Sequence, residues 1–125
     1  MKKQRPVFLN LMQIRLPLPG LVSILHRASG VMVFLLIPFL LWLLSRSLHS
    51  ELLFAYIQQT VYDSAMIRFL LWITLSALTY HLLAGVRHLW MDVGIGESLK
   101  SARISAYSVL MLSALFTLLL GIWLW

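Results

Sequence analysis

The chain predicts an all-α integral membrane protein built on three transmembrane helices, and three observations lead there. Of its 125 residues, 61% are hydrophobic and only 11% are charged, and the mean hydropathy is +0.90. That is more apolar surface than a small soluble domain can hide. Residues 28–45, 69–86 and 104–125 contain no Asp, Glu, Lys or Arg. Each stretch is about long enough to cross a hydrocarbon core of roughly 30 Å at about 1.5 Å per residue. The Lys and Arg residues, finally, gather between these stretches rather than within them.

Taken in order, residues 1–20 form an N-terminal cytoplasmic segment of a single membrane domain that spans 1–125. It carries Lys2, Lys3, Arg5 and Arg15, and Pro17, Pro19 and Gly20 delay the first helix. The charged start is followed by a polar, proline-marked stretch without a small-residue cleavage site, so the first helix is expected to insert uncleaved. That helix spans about 21–48, and Pro38 kinks it without breaking it inside a bundle. The connection around 46–68 carries Glu51 and Asp63, with His49 as an ordinary loop residue. The second helix spans about 67–90. Gly94 and Gly96 with residues 97–101 make a short loop, and the third helix spans about 104–125.

Orientation follows the basic residues. Those before the first helix, with Arg87, Lys100 and Arg103 around the second connection, place both regions in the cytoplasm. The 46–68 connection and the C-terminus then face the periplasm of a bacterial inner membrane. Trp42, Trp90, Trp123 and Trp125 fall near helix ends, where an aromatic belt is expected, and Trp72 does not. The net charge of +6 is thus mostly a matter of topology. A nucleic-acid interface would need a basic face with stacking aromatics on a soluble fold, which this pattern lacks. With no cysteine, the chain makes no disulfide, ligates no iron–sulfur cluster through thiolates and attaches no haem covalently.

The residue that most needs explaining is His81, set deep in the second span and followed by Gly85, Arg87, His88 and Asp92. Spacings of four, three and four put His81, Gly85, His88 and Asp92 on one helix face. An imidazole inside a membrane is costly unless something uses it. Haem iron is the leading use, and hydrogen bonding to a neighbouring helix is the alternative. His81 and His88 lie about 10 Å apart along the axis, too far for both to bind one iron. His81, about 12 Å from the cytoplasmic helix end, is the better ligand, and His88 is placed for polar contacts near the surface. Ala77, Ala84 and Gly85 would let either a flat macrocycle or a second helix approach.

A second polar group stands at the start of the first span: Ser23, His26, Arg27, Ser29 and Gly30. Ser23 and Arg27 are one turn apart, so a hydroxyl and a fixed positive charge converge on one small polar group. A quinone carbonyl fits, because its reduction builds negative charge that a preorganised cation stabilises. His26 and Arg27 also suit haem propionates. The alternative is that Arg27 snorkels to lipid headgroups and Ser23 caps the helix.

The run Arg5, Pro6, Val7, Leu11, then Ser23, Ile24, Leu25, His26, Arg27, Ala28, Ser29 and Gly30 resembles the first motif of the cytochrome b membrane-anchor subunits of succinate dehydrogenase. The run His81, Gly85, Val86, Arg87, His88, Leu89, Trp90, Met91 and Asp92 resembles the second, and the resemblance covers essentially the whole chain. Where many members carry Ser-Pro-His, this chain has Phe8, Leu9 and Asn10. The resemblance implies half of a heterodimeric helical bundle that binds haem b, with His81 as one axial ligand and the other supplied by a second, smaller anchor subunit. It further implies that Ser23 and Arg27 line a ubiquinone site and that His26 and Arg27 contact the propionates. His88 and Asp92 match motif positions without an assigned role; Asp92 is expected to pair with Arg87 or Arg103, or to meet peripheral subunits. The implied partners are that second anchor, an iron–sulfur subunit, a flavoprotein subunit and membrane lipid, and this chain would do none of the succinate chemistry. Two other functions compete: a haem-free structural anchor for a peripheral enzyme, and a small transporter or channel. The latter ranks last because the spans hold no mid-membrane carboxylate and no paired broken helices.

Overall fold

Residues 16–125 are described by the computed structural model. They form four helices, α1 (Leu18–His49), α2 (Glu51–Asp63), α3 (Ala65–Asp92) and α4 (Leu99–Leu124). The described residues contain no strand. Helices α1, α3 and α4 are each long and apolar enough to cross a membrane. Lys2, Lys3, Arg5 and Arg15, with the Arg5 to Leu11 portion of the first motif and residues 8–10, lie outside the described residues.

α1 begins at Leu18, three residues before the expected start, because Pro19 falls in its first turn. There the missing N–H has no partner to lose, and the fixed φ suits a helix. The Pro17 carbonyl accepts the first backbone bonds, from Gly20 and Leu21 at 2.9 and 3.1 Å. Pro38 lies within α1, which continues to His49; that residue is helical and exposed rather than part of a loop.

The expected connection between the first two spans is instead a helix. α2 is joined to its neighbours by single extended residues, Ser50 and Ser64, which also cap. The Ser50 hydroxyl accepts the Leu53 N–H at 3.2 Å, and the Ser64 hydroxyl accepts that of Ile67 at 3.4 Å. A serine that breaks the helical backbone and caps the next helix changes chain direction within one residue. Ile57 and Val61 turn toward Phe39, Trp42 and Leu43 of α1. Phe54 and Tyr62 share a cleft with Trp123 and Leu124 at the end of α4. α2 is therefore an amphipathic segment folded across one end of the bundle, with Gln59 donating to both carboxylate oxygens of Asp63 on its outer side.

α3 ends in a Schellman motif, in which Ile95 N–H reaches the Trp90 carbonyl at 2.9 Å and Gly94 N–H that of Met91 at 3.0 Å. The motif needs a left-handed residue, and Gly94 supplies it at φ 80°. α4 starts at Leu99, earlier than the expected 104, because the Ser98 hydroxyl caps it by accepting Ser101 N–H at 3.2 Å. Lys100 and Arg103 are thus helical, and residues 99–101 belong to α4 rather than to the loop.

The three long helices run antiparallel in sequence, as their cross-contacts show. Tyr80, just past the middle of α3, donates its hydroxyl to the Val22 carbonyl near the start of α1 at 2.9 Å. Trp72 near the start of α3 donates its indole N–H to the Thr117 carbonyl in the last third of α4 at 2.8 Å. There Gly121 leaves the space that the indole fills; an added Cβ would stand 3.3 Å from Trp72 Nε1. Trp72, which the sequence places away from the membrane interface, is a packing residue between α3 and α4.

Val22, Ala84, Ala106 and Val109 form the buried core, one or two small residues from each long helix. Helices without a hydrophobic driving force between them associate by such close backbone approach. Ala84, one of the small residues expected to flank a macrocycle, is spent here on helix packing. The outer faces stay apolar and open, with Phe34, Leu35 and Ile122 exposed by 74%, 67% and 78%. That is the surface expected of helices facing lipid or an apolar partner.

Candidate functional site

The two polar motifs meet where the first half of α1 crosses the second half of α3. His26 of α1 sits between two histidines of α3. Its ring stacks on His81, with centroids 4.3 Å apart and planes at 19°, and it lies against His88 at 4.9 Å and 54°. The spacing of His81, Gly85 and His88 on one face is what makes this possible: Gly85 leaves a gap between the two α3 rings. A Cβ there would stand 3.4 Å from His26 Nε2. The seat is reciprocal, because His81 lies over Gly30 of α1, where a Cβ would stand 3.0 Å from Cε1 and 3.5 Å from Nδ1.

This arrangement holds His81 by one edge. Nδ1 lies 3.2 Å from the Ser29 hydroxyl and 3.2 Å from the His26 carbonyl. A carbonyl can only accept, so Nδ1 carries the hydrogen and Nε2 carries the lone pair. Nε2 has no hydrogen-bond partner among the described residues, and His81 is half-buried. His81 therefore offers one fixed, unpaired nitrogen donor, which is what an axial haem ligand requires. No group of three His, Asp or Glu residues among the described residues is arranged to hold a bare metal ion. Were His81 to hold a haem, neither His26, stacked beside it, nor His88, two turns along α3, could bind the same iron as well.

His26 Nε2 is enclosed without a hydrogen-bond partner. Burying such a group costs about 1–3 kcal/mol, so the stack is held against an opposing cost. Only Nδ1 of His26 remains for any ligand. Ser23 and Arg27 sit one turn apart on α1, with Ser23 half-buried and Arg27 exposed. Ser23 does not cap α1: the N-cap is Pro17, and Ser23 lies inside the helix. Neither side chain has a hydrogen-bond partner among the described residues. Of the rest, His88 is half-buried beside His26, and Asp92 is exposed.

Arg87 is the residue whose role the sequence did not reveal. It is only 4% exposed. Its Nε donates to the Ser105 hydroxyl at 3.0 Å, and Nη2 donates to the Ala102 carbonyl at 3.2 Å. Arg87 thus ties α3 to α4 instead of pairing with Asp92 or serving as a loop cation. The Arg87 and Ser105 pair was visible only as a spacing across a turn that had first to be folded.

The succinate dehydrogenase/fumarate reductase transmembrane subunit family matches residues 1–120. The chain is 41% identical over 125 residues to the succinate dehydrogenase cytochrome b556 subunit of Coxiella burnetii, covering 100% of both chains. It is 34% identical over 121 residues to the protein of that name from Rickettsia felis, covering 95% of this chain and 92% of that one. To the succinate dehydrogenase cytochrome b560 subunit of Reclinomonas americana it is 32% identical over 123 residues, covering 95% and 85%.

Proposed function

The chain belongs to the succinate dehydrogenase/fumarate reductase transmembrane subunit family, and from that premise we propose that it helps hold haem b and ubiquinone as the cytochrome b membrane anchor of a succinate:ubiquinone oxidoreductase. The observation that carries the haem reading is the isolated Nε2 of His81, presented by a ring whose other edge is bound to α1. His81 would be one axial ligand. His26, through Nδ1, and Arg27 would meet the propionates at the same end of the bundle. When bound, the haem supplies a one-electron redox centre within the membrane. The chain's own contribution is to fix the ligand's tautomer and direction.

Ser23 and Arg27 would receive the quinone. As electrons arrive on the quinone, negative charge grows on its oxygens; the Arg27 guanidinium stabilises that charge, and the Ser23 hydroxyl donates a hydrogen bond to it. Their lack of partners within the described residues supports this, since neither must break a bond to engage a ligand. The stacked His26 supports a partner of stated kind: the second axial ligand comes from outside this chain, from a second small anchor subunit. An iron–sulfur subunit and a flavoprotein subunit complete the assembly and carry out succinate oxidation. The basic residues Arg27, Lys100 and Arg103 share one end of the bundle, which supports a cytoplasmic placement of that end in a bacterial inner membrane, with α2 and the C-terminus periplasmic. His88 and Asp92 receive no role.

The test is a dithionite-reduced minus oxidised visible spectrum of the whole complex in mild detergent, for the native chain and for His81→Ala. A b-type signal in the native complex that disappears or shifts in the variant is expected. A native complex without that signal would leave this chain as a haem-free structural anchor.

A further inference from the structure

We propose that Ser29 is the positioning residue of His81, its hydroxyl oxygen adding a second acceptor at Nδ1 that fixes the direction of the imidazole and strengthens Nε2 as a donor. This rests on the reading of His81 as a haem ligand. Ser29 Oγ donates its own hydrogen to the His26 carbonyl, 2.8 Å away and three residues back on α1. That bond commits the hydroxyl proton, so toward His81 Nδ1, 3.2 Å away, the oxygen has only lone pairs to offer. The His26 carbonyl lies equally near the same nitrogen. Both neighbours of Nδ1 are therefore acceptors, and the imidazole can satisfy them only with its hydrogen on Nδ1. The carbonyl sets the tautomer; Ser29, its own proton committed to His26, adds a second acceptor at the same ring edge and so fixes the ring's direction and polarises Nδ1–H further.

Gly30 completes the device. The ring edge that meets Ser29 also lies over this glycine, so Cε1 comes within 3.0 Å of the place a side chain would occupy. The ring cannot slide along α1 without losing Ser29, and it cannot rotate away without losing both acceptors. Ligating histidines characteristically carry an acceptor on the second ring nitrogen, and that acceptor raises ligand basicity. Here it comes from a different helix than the ligand itself, so ligand strength depends on how α1 meets α3.

The experiment compares native complex with Ser29→Ala, Ser29→Thr and Ser29→Val, each purified whole in mild detergent, with His81→Ala alongside. Three readouts are taken: haem midpoint potential by redox titration, the shape of the reduced visible band, and the rate of haem transfer to apomyoglobin. Ser29→Ala and Ser29→Val should keep haem but release it about 10-fold faster, with a raised midpoint potential because the less polarised Nδ1–H makes a weaker donor to iron. Ser29→Thr should stay close to native, since it keeps the hydroxyl. The Thr and Val variants have nearly the same shape, so the difference between them isolates the oxygen even where Ala assembles poorly. Equal values for Thr and Val, or native values in every Ser29 variant, would overturn the role of Ser29 while leaving His81 as ligand. Haem retained in full by His81→Ala would instead overturn the underlying reading.

Discussion

The imidazole of His81 lies directly over Gly30, with its Cε1 3.0 Å from the position a Cβ would take. That distance is at the lower edge of what packed atoms tolerate, and the nearest atom belongs to a ring held on its other side by Ser29 and the His26 carbonyl. Gly30→Ala is expected to push His81 off its acceptors, so that the complex assembles but its b-type band weakens and shifts. Haem content per flavin, read beside the visible spectrum, checks this; an unchanged band and content would show that the ring has room to yield.

Ser23→Ala and Arg27→Leu should separate the two halves of the overall reaction. Losing a charge-assisted donor to a developing oxyanion costs about 100-fold in rate, and losing the neutral hydroxyl costs about 10-fold. Ubiquinone reduction by succinate should fall accordingly, while reduction of a soluble dye by succinate should persist. Parallel loss of both activities would remove the quinone assignment.

At the α3–α4 contact, the smaller truncation should be the more damaging one. Ser105→Ala leaves the buried Arg87 guanidinium with one of its two partners missing, at about 1–3 kcal/mol. Arg87→Leu removes the charge together with its desolvation penalty, so it should cost less. Thermal unfolding of the detergent-solubilised complex compares them, and a larger loss for Arg87→Leu would contradict the expected order.

Gly94 tests the backbone alone, because an added Cβ meets nothing within 4 Å. Gly94→Ala should therefore cost about 1 kcal/mol, the price of a left-handed conformation at φ 80°. Gly94→Asn should cost less, and thermal unfolding distinguishes the two. Equal stability of the glycine and alanine forms would mean that the Schellman turn relaxes.

What could be read from the sequence divides by range. The three spans were legible because membrane solvent imposes a length and a ban on charge that act residue by residue. The joint face of His81, Gly85 and His88 was legible because it depends on one helix alone. α2 escapes a rule based on spanning because its polar residues, Glu51, Gln58, Gln59 and Asp63, make it unfit to cross a membrane, although its apolar residues at 53, 57 and 61 and the serine before it carry the pattern of a capped amphipathic helix. Arg87 and Trp72 misled for a different reason. Each finds its partners on α4, and which of its neighbours an Arg or Trp meets is settled by packing between helices. The small residues of α3 showed the same limit, since only the fold reveals that Ala84 faces α4 and α1 while Gly85 faces His26.

The two glycine seats have a mechanical consequence. His26 rests in the gap at Gly85, and His81 rests over Gly30, so each helix carries one peg and one socket for the other. A slide of α1 against α3 in either direction would drive both rings into backbone at once. These two helices are thus pinned in register, and Ser23, Arg27 and His81 travel as one rigid piece. Because Arg87 and Trp72 tie α4 to α3 as well, adjustment as partners dock or a quinone enters must fall to the surfaces that face other chains.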